Sequence, residues 1–321
     1  MPESIPLKRF EFERIKMAVP VRIVLYTETE SLAESCAEAG YKRFDEINAS
    51  MSDYDLSSEI HRLTADNDQR LLKDSCCDDG WREVSDDLFA VMQAARHHAE
   101  ISDGAFDVTI SPLVQLWRRA KRLRKLPSRD EVEKARSLVG SYLWELDDAE
   151  NEKRVRLHKA GMRFDFGGIA KGYAIDQAFE AVQKQGIQSV LIDAGGDMRL
   201  GDAPPEKDGW SVGIQGREDD KNRTLSNISS ATSGDTFQFF ELEGVRYSHI
   251  INPKTGWPLA DSFIVTICSV MATEADALAS AVSVLGPEKG IALIDRIPGT
   301  EAMVLRRSNP TTVYRSKLWK D

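Results

Sequence analysis

The stretch FDFGGIAKGYAID, residues 164–176, constrains this chain more than any other. An apolar run enters, two glycines follow, and a segment with helical spacing leaves. Gly167 and Gly168 permit a turn that a Cβ would obstruct. From Ile169 onward, Ile175, Ala178, Phe179 and Val182 share one face, which predicts a helix reaching about Gly186. The chain must therefore make a tight strand-to-helix corner with Asp165 on one side and Lys171 on the other. Free N–H groups in the first turn of such a helix favour an anion, and Lys171 would add charge. Asp165 could accept from a ring N–H or a sugar hydroxyl. The spacing is neither the GxxxxGK[ST] of a P-loop nor GxGxxG. A plain β–α corner with a surface lysine would use the same residues, so this motif alone does not choose between them.

Three more pieces bear on chemistry. DAGGDM (193–198) repeats the device of strand, paired glycine and acid, although such pairs also make hairpins. YSHIINPKTGWPL (247–259) sets His249 at the edge of a loop bounded by Gly and Pro. A histidine there is a candidate general base, and a turn-capping histidine is the competing reading. In MATEADALASAVSVLG (271–286), Leu278, Ala281, Val282 and Leu285 form a buried helical stripe. Asp276 and Ser280, four apart, share another face. Their oxygens suit a hard cation such as Mg²⁺, with one carboxylate being the number expected where phosphate oxygens and waters complete the shell. A polar face turned to water would look the same.

The remaining pattern predicts a strand at 18–26, then helices at 31–48, at 86–101 (capped by Ser85 or Asp86), from Ser111-Pro112, and at 129–139. Residues 48–60 read as polar and turn-like. Beyond Gly140 short strands dominate: 142–147, 153–158, 162–166, 188–194, 209–215, 226–232, 236–240, 244–251 and 263–270. Helices at 272–285 and 287–296 and two closing strands finish the chain. Few strict βαβ alternations argue α+β, with mixed sheets and packed helices, rather than a doubly wound sheet. The 321 residues are read as a single domain, 1–321, with a possible subdivision near 140 into a helix-rich and a strand-rich part.

A net charge of −10 argues against general nucleic-acid binding. One local exception is WRRAKRLRK (117–125), where six of nine residues are Arg or Lys. It reads as a solvated helix face, or as a docking patch for an acidic partner or anionic membrane. No run approaches a transmembrane length, and the N-terminus has no apolar secretory core, which points to the cytoplasm unless a leader was removed. Cys36, Cys76, Cys77 and Cys268 form no CxxC pair and are expected to be reduced, unligated thiols.

Taken together and in order, these pieces resemble the ApbE family of FAD:protein FMN transferases. MAVPVRI (17–23), SDYDLSSEIHRL (52–63), GAFDVTISPLVQLW (104–117), FDFGGIAKGYAID, DAGGD, TSGD (232–235), SHIINPKTG and ADALASAVSVLG follow in family order and span about residues 17–286. The resemblance implies an ApbE-like, T-fold-related α+β architecture. It implies an enzyme that splits FAD, passes FMN to a Thr or Ser hydroxyl of an acceptor flavoprotein and releases AMP with Mg²⁺. It implies an FAD site lined by Met17, Tyr54, Ala105, Phe106, Asp107, Asp165, Lys171 and His249. The metal would lie among Gly168, Asp276, Ala279 and Ser280, with His249 and Asp276 catalytic. Tyr54 or Phe106 would pack on adenine or flavin. Ser280 replaces the family's usual Thr, Asn252 its usual Asp, and Ala18 and Val19 depart from its Met-Gly-Thr opening. Two rival readings are a Mg²⁺-dependent FAD pyrophosphatase and a non-catalytic FAD-binding or flavin-delivery protein. Asp276→Ala is expected to abolish FAD cleavage at little cost to the fold.

Overall fold

β1 (Lys8–Lys16) and β2 (Val19–Thr27) pair antiparallel through a two-residue turn, Met17-Ala18, whose φ values are 48° and 63°. Both residues sit in the left-handed region that matches the twist of a tight hairpin but favours glycine. The computed structural model describes residues 6–72, 79–149, 152–214, 222–234, 239–306 and 311–320. Cys76, Cys77, Asp235 and most of the acidic loop after Gly216 lie outside them.

After β2 come α1 (Glu30–Met51), α2 (Glu59–Leu72), β3 (Trp81–Glu83), α3 (Asp86–Ile101), α4 (Ser111–Leu123) and α5 (Arg129–Arg136). Then follow β4 (Trp144–Asp147), β5 (Arg154–Leu157), α6 (Ala170–Gln183), β6 (Val190–Ala194), β7 (Asp197–Leu200), β8 (Trp210–Val212) and β9 (Arg223–Leu225). The chain continues with β10 (Ile228–Gly234), β11 (Phe239–Leu242), β12 (Val245–Ser248), β13 (Phe263–Ser269), α7 (Ala272–Leu285), α8 (Pro287–Ile294), β14 (Glu301–Arg306) and β15 (Thr312–Arg315).

One sheet organises these pieces. Its order is β1-β2-β6-β7-β10-β13-β14-β15, every described pairing is antiparallel, and it draws β1 and β2 from before residue 140 and the rest from after it. Side-chain alternation in β2 feeds both faces: Ile23 and Leu25 enter the core with α1 and α6, while Val24 joins Leu191, Trp210 and Trp319 on the other side. α1, α6 and α7 therefore form a helical layer on one face. A satellite cluster of Leu113, Trp117, Val132 and Ile251 ties α4 and α5 to the segment after β12.

The α+β expectation is met, and most predicted elements are present. Ser85 is the cap of α3, accepting from the Leu88 N–H at 3.3 Å. Residues 162–166 are a correction: they belong to no sheet, and Asp165 makes one backbone bond, its N–H to Val108 O at 2.7 Å. Sequence reasoning also misses β1, β3, β7, β9 and α2. β1 (KRFEFERIK) alternates aromatic and charged residues as an exposed edge strand does. α2 is mostly polar and buries only Ile60, Leu63, Thr64 and Asn67. Among the described residues no helix is long and apolar enough to cross a membrane.

Candidate active site

The glycine corner is shaped by the helix packed against it. At Gly172 a Cβ would run into the Ala272 carbonyl and lie 2.9 Å from Asp276 Cβ, so only glycine lets α6 approach α7 this closely. At that crossing the Gly172 N–H donates to Asp276 Oδ2 at 3.0 Å. Asp276 is 7 % exposed, so the polar face of α7 is buried rather than solvated. Burial pushes its carboxyl pKa up, while the Lys171 ammonium and the Gly172 N–H pull it back. One turn further along, Ser280 Oγ would stand 2.7 Å from a Cβ on Gly168. Gly168, Asp276 and Ser280 thus come together. The Ala279 carbonyl accepts from Ser283 Oγ at 2.8 Å, beside the helical bond from the Ser283 N–H of the same α7 turn.

The anion-facing N–H groups that the sequence allows at this corner are partly engaged: Ala170 N–H donates to Phe166 O, Gly172 N–H to Asp276, and Gly167 N–H to Asp165 Oδ1 at 2.8 Å. The positive charge at the corner comes from Lys171, whose ammonium is paired with Asp197 of β7. Asp197 in turn accepts from the Thr232 N–H at 2.9 Å, which joins the DAGGD and TSGD segments.

Asp176, the last residue of the FDFGGIAKGYAID motif, is a residue that sequence reasoning misses. It is fully buried and caps α7 from outside that helix. Its Oδ1 accepts from Ala272 N–H (2.9 Å) and Arg199 Nη1 (2.7 Å); its Oδ2 accepts from Thr273 N–H (2.8 Å) and Thr273 Oγ1 (2.6 Å). The residue before α7, Met271, has no side chain able to cap, and the cap comes from α6 instead. A polar residue at a helical position facing inward was the available signal.

A second wall comes from before residue 140. Asp107 caps the short turn at Val108–Ile110, accepting from Thr109 N–H at 2.8 Å and Oγ1 at 2.6 Å, and burial pushes its pKa up. Ala105 and Phe106 are buried. The Phe106 ring packs under Gly168, 3.4 Å from where its Cβ would be, and against His98. At 6 % exposure it supports the corner and offers no open face to adenine or flavin. Tyr54, 77 % exposed, lies under the Arg118 guanidinium at 4.7 Å. Arg118 also pairs with Asp53 at 2.9 Å and approaches Asp165 at 3.7 Å. Burial and the nearby Asp53 raise the Asp165 pKa; the Gly167 N–H and Arg118 oppose them. The Met17 turn abuts the DAGGD corner, where Gly195 N–H donates to Pro20 O and a Gly195 Cβ would meet Val19.

His249 is exposed, just after β12. Its loop is anchored on α4: Trp117 Nε1 donates to Gly256 O at 2.8 Å, and the Trp117 ring meets Trp257 and Tyr247. Among the described residues no cluster of three or more carboxylate, imidazole or thiol groups could hold a metal. The oxygen donors of this corner are the Asp276 carboxylate at Gly172 and the Ser280 hydroxyl beside Gly168. That oxygen-only set fits a hard divalent cation such as Mg²⁺ that also takes substrate oxygens and waters.

The match to a family model decides the identity: residues 17–304 fit the ApbE family. This chain belongs to the ApbE family. Curated proteins similar to it include the FAD:protein FMN transferase of Treponema pallidum, 34 % identical over 239 residues, covering 69 % of this chain and 66 % of that protein. The FAD:protein FMN transferase of Vibrio cholerae is 28 % identical over 284 residues, covering 86 % and 81 %. Among solved structures, the apo flavinyl transferase ApbE of Pseudomonas stutzeri superposes with a TM-score of 0.83 at 26 % identity, over 99 % of this chain and 97 % of that one. The ApbE protein of Thermotoga maritima gives 0.81 at 30 % identity over 97 % of each.

The departures of this ApbE chain from the family pattern have local explanations. Asn252 Oδ1 accepts from the N–H groups of Lys254 (2.9 Å) and Thr255 (3.3 Å). An amide oxygen holds that turn as a carboxylate would. Ser280 keeps its hydroxyl beside Gly168. Ala18 occupies a left-handed position that glycine would fill without strain.

Proposed function

We propose that this chain is an FAD:protein FMN transferase that uses Mg²⁺ and delivers FMN to a Thr or Ser hydroxyl of an acceptor protein, releasing AMP. The observation that carries this reading is the corner where Gly168, Asp276, Ser280 and the Lys171 ammonium meet, in a chain that fits the ApbE family over residues 17–304. In this reading the whole chain works as one domain, since the Met17 turn and the Gly195 corner sit on one sheet.

The step is a displacement at phosphorus. The acceptor oxygen attacks the phosphorus of the FMN half, and the bond to the AMP phosphate breaks. The electron pair leaves on the AMP oxygen, and the hydroxyl proton passes to a base, for which His249 is our candidate. A Mg²⁺ held by Asp276, Ser280 and the Gly168 and Ala279 carbonyls would supply neutralisation of the charge growing on the leaving phosphate. Lys171, paired with Asp197, would hold the pyrophosphate by charge. Asp165 and Tyr54, both close to Arg118, would receive the nucleotide's rings and sugar hydroxyls; their grouping supports that reading.

The test is incubation with FAD and Mg²⁺, with and without a candidate acceptor. Intact mass of the acceptor and chromatography of free nucleotides are read. An acceptor gain of one FMN with AMP released supports transfer. Free FMN and AMP with an unmodified acceptor would turn the reading to a pyrophosphatase. FAD bound and unchanged would turn it to a binding protein.

A further inference from the structure

Six of the nine residues from Trp117 to Lys125 are cations in a chain of net charge −10. All six are exposed. α4 spends its apolar face inward, burying Leu113, Trp117 and Ala120. Arg118, Arg119 and Arg122 therefore project from the opposite side, with Lys121 on the flank. Arg118 is the one of them that reaches the active-site wall, through Asp53, Asp165 and Tyr54. Among the described residues Arg119, Lys121, Arg122, Arg124 and Lys125 enter no ion pair. Glu131, the carboxylate that feels Arg119 and Lys125, is already engaged in the Ser128 cap of α5. The cationic ridge thus starts at the site and runs away from it without carboxylates paired along it.

We propose that this ridge is where the acceptor protein docks, and that it takes an acidic stretch flanking the hydroxyl to be modified. The inference rests on the transfer reading, because only transfer requires a second protein chain at the mouth of the site. Arg122 lies one turn beyond Arg118, about 6 Å along the axis. An extended chain covers that in about two residues. Acidic side chains about two residues apart would therefore meet Arg118 and Arg122 in turn. An anionic membrane is the less favoured occupant. A helix that lies in the headgroups needs a free apolar face, and that of α4 is already buried in the protein.

The full-length protein is titrated with a labelled peptide carrying one Thr flanked by glutamates, and with the same peptide carrying glutamines. Anisotropy is read in about 50 mM and about 300 mM salt. The expected result is binding of the glutamate peptide about tenfold tighter than the glutamine one, with most of the difference gone at the higher salt. Arg119→Glu with Arg122→Glu should abolish the preference. The charge-removing pair Arg119→Gln with Arg122→Gln should reduce it. FAD affinity, read by flavin fluorescence, should be unchanged in both. Equal binding of the two peptides, a preference that survives charge reversal, or binding of phosphatidylserine-containing vesicles in place of the peptide would each overturn the proposal. Failure of the unaltered protein to bind FAD would instead count against the transfer reading, independently of the peptide result.

Discussion

Asp176→Ala tests whether α7 is held in place from outside. The carboxylate is fully buried and accepts four hydrogen bonds, two from the first backbone N–H groups of α7, one from Thr273 Oγ1 and one from Arg199. Its loss uncaps the helix and leaves Arg199, whose side chain is 15 % exposed, without its counter-charge. Breaking such a pair costs about 3–5 kcal/mol. At about 2.1 cal/mol/K of unfolding entropy per residue, 321 residues give about 0.7 kcal/mol/K, so Tm should fall by about 4–7 °C. Thermal unfolding by circular dichroism reads the shift directly. FMN transfer measured well below Tm should also fall, because Asp276 lies one turn from the freed helix end. Asp176→Asn keeps an acceptor oxygen but not the charge, and should lie between. A Tm within about 1 °C of the parent for Asp176→Ala would refute the argument that this cap positions α7.

Gly172→Ala places a methyl against the Ala272 carbonyl and should separate α6 from α7; at least about tenfold loss of transfer is expected, with about 1–3 kcal/mol lost in a urea titration. Asp276→Ala should abolish Mg²⁺-dependent FAD cleavage. The little cost to the fold expected from the sequence is corrected by the burial of Asp276: the change should also destabilise by about 1–3 kcal/mol, because the Gly172 N–H loses its acceptor, whereas Asp276→Asn should recover stability without activity. His98 is buried, and burial lowers its pKa from 6.5 to about 4. The unfolded chain therefore takes up a proton first as pH falls, so stability present above pH 6.5 should decline toward pH 4, by about 3 kcal/mol. His98→Leu should flatten that decline in denaturation curves at the two pH values. Ala18→Gly relieves a left-handed φ of 63° and should raise stability by up to about 1 kcal/mol.

The parts of this fold that are legible in the sequence are those where one periodicity or one backbone requirement acts alone. The stripe on α7, the strand at β2 and the glycine corner belong here. So does the pairing of Asp276 with Ser280, which helical spacing brings to one face. What the sequence hides is long-range. Nothing local says that Gly172 is a glycine because of Ala272, a hundred residues away. Nothing local says that Asp176 caps a helix it does not belong to, or that Asp197 holds Lys171. The Asp276 face reads as solvated because its neighbours in sequence are small; the structure buries it because α6 fits against those same small residues. Phe106 looks like a stacking ring and is a buried support, since an aromatic side chain carries no sign of which side of a wall it occupies. The ApbE resemblance groups these residues, and the packing of α6 on α7 supplies the reason that they belong together.

The two helices at the centre hold each other reciprocally. Gly172 meets Asp276 and Asp176 meets Ala272, so a four-residue step on α6 is matched by a four-residue step on α7 running the other way. Each step is just over one turn, about 6 Å. Inserting or deleting a single residue within either step would rotate everything beyond it by about 100° and break one contact while keeping the other. Slippage cannot repair this, because the close approach at Gly172 fixes the register. The spacing between these paired positions is thus a length constraint on any functional homologue. Counting four residues from Gly172 to Asp176 and four from Ala272 to Asp276 is enough to check it.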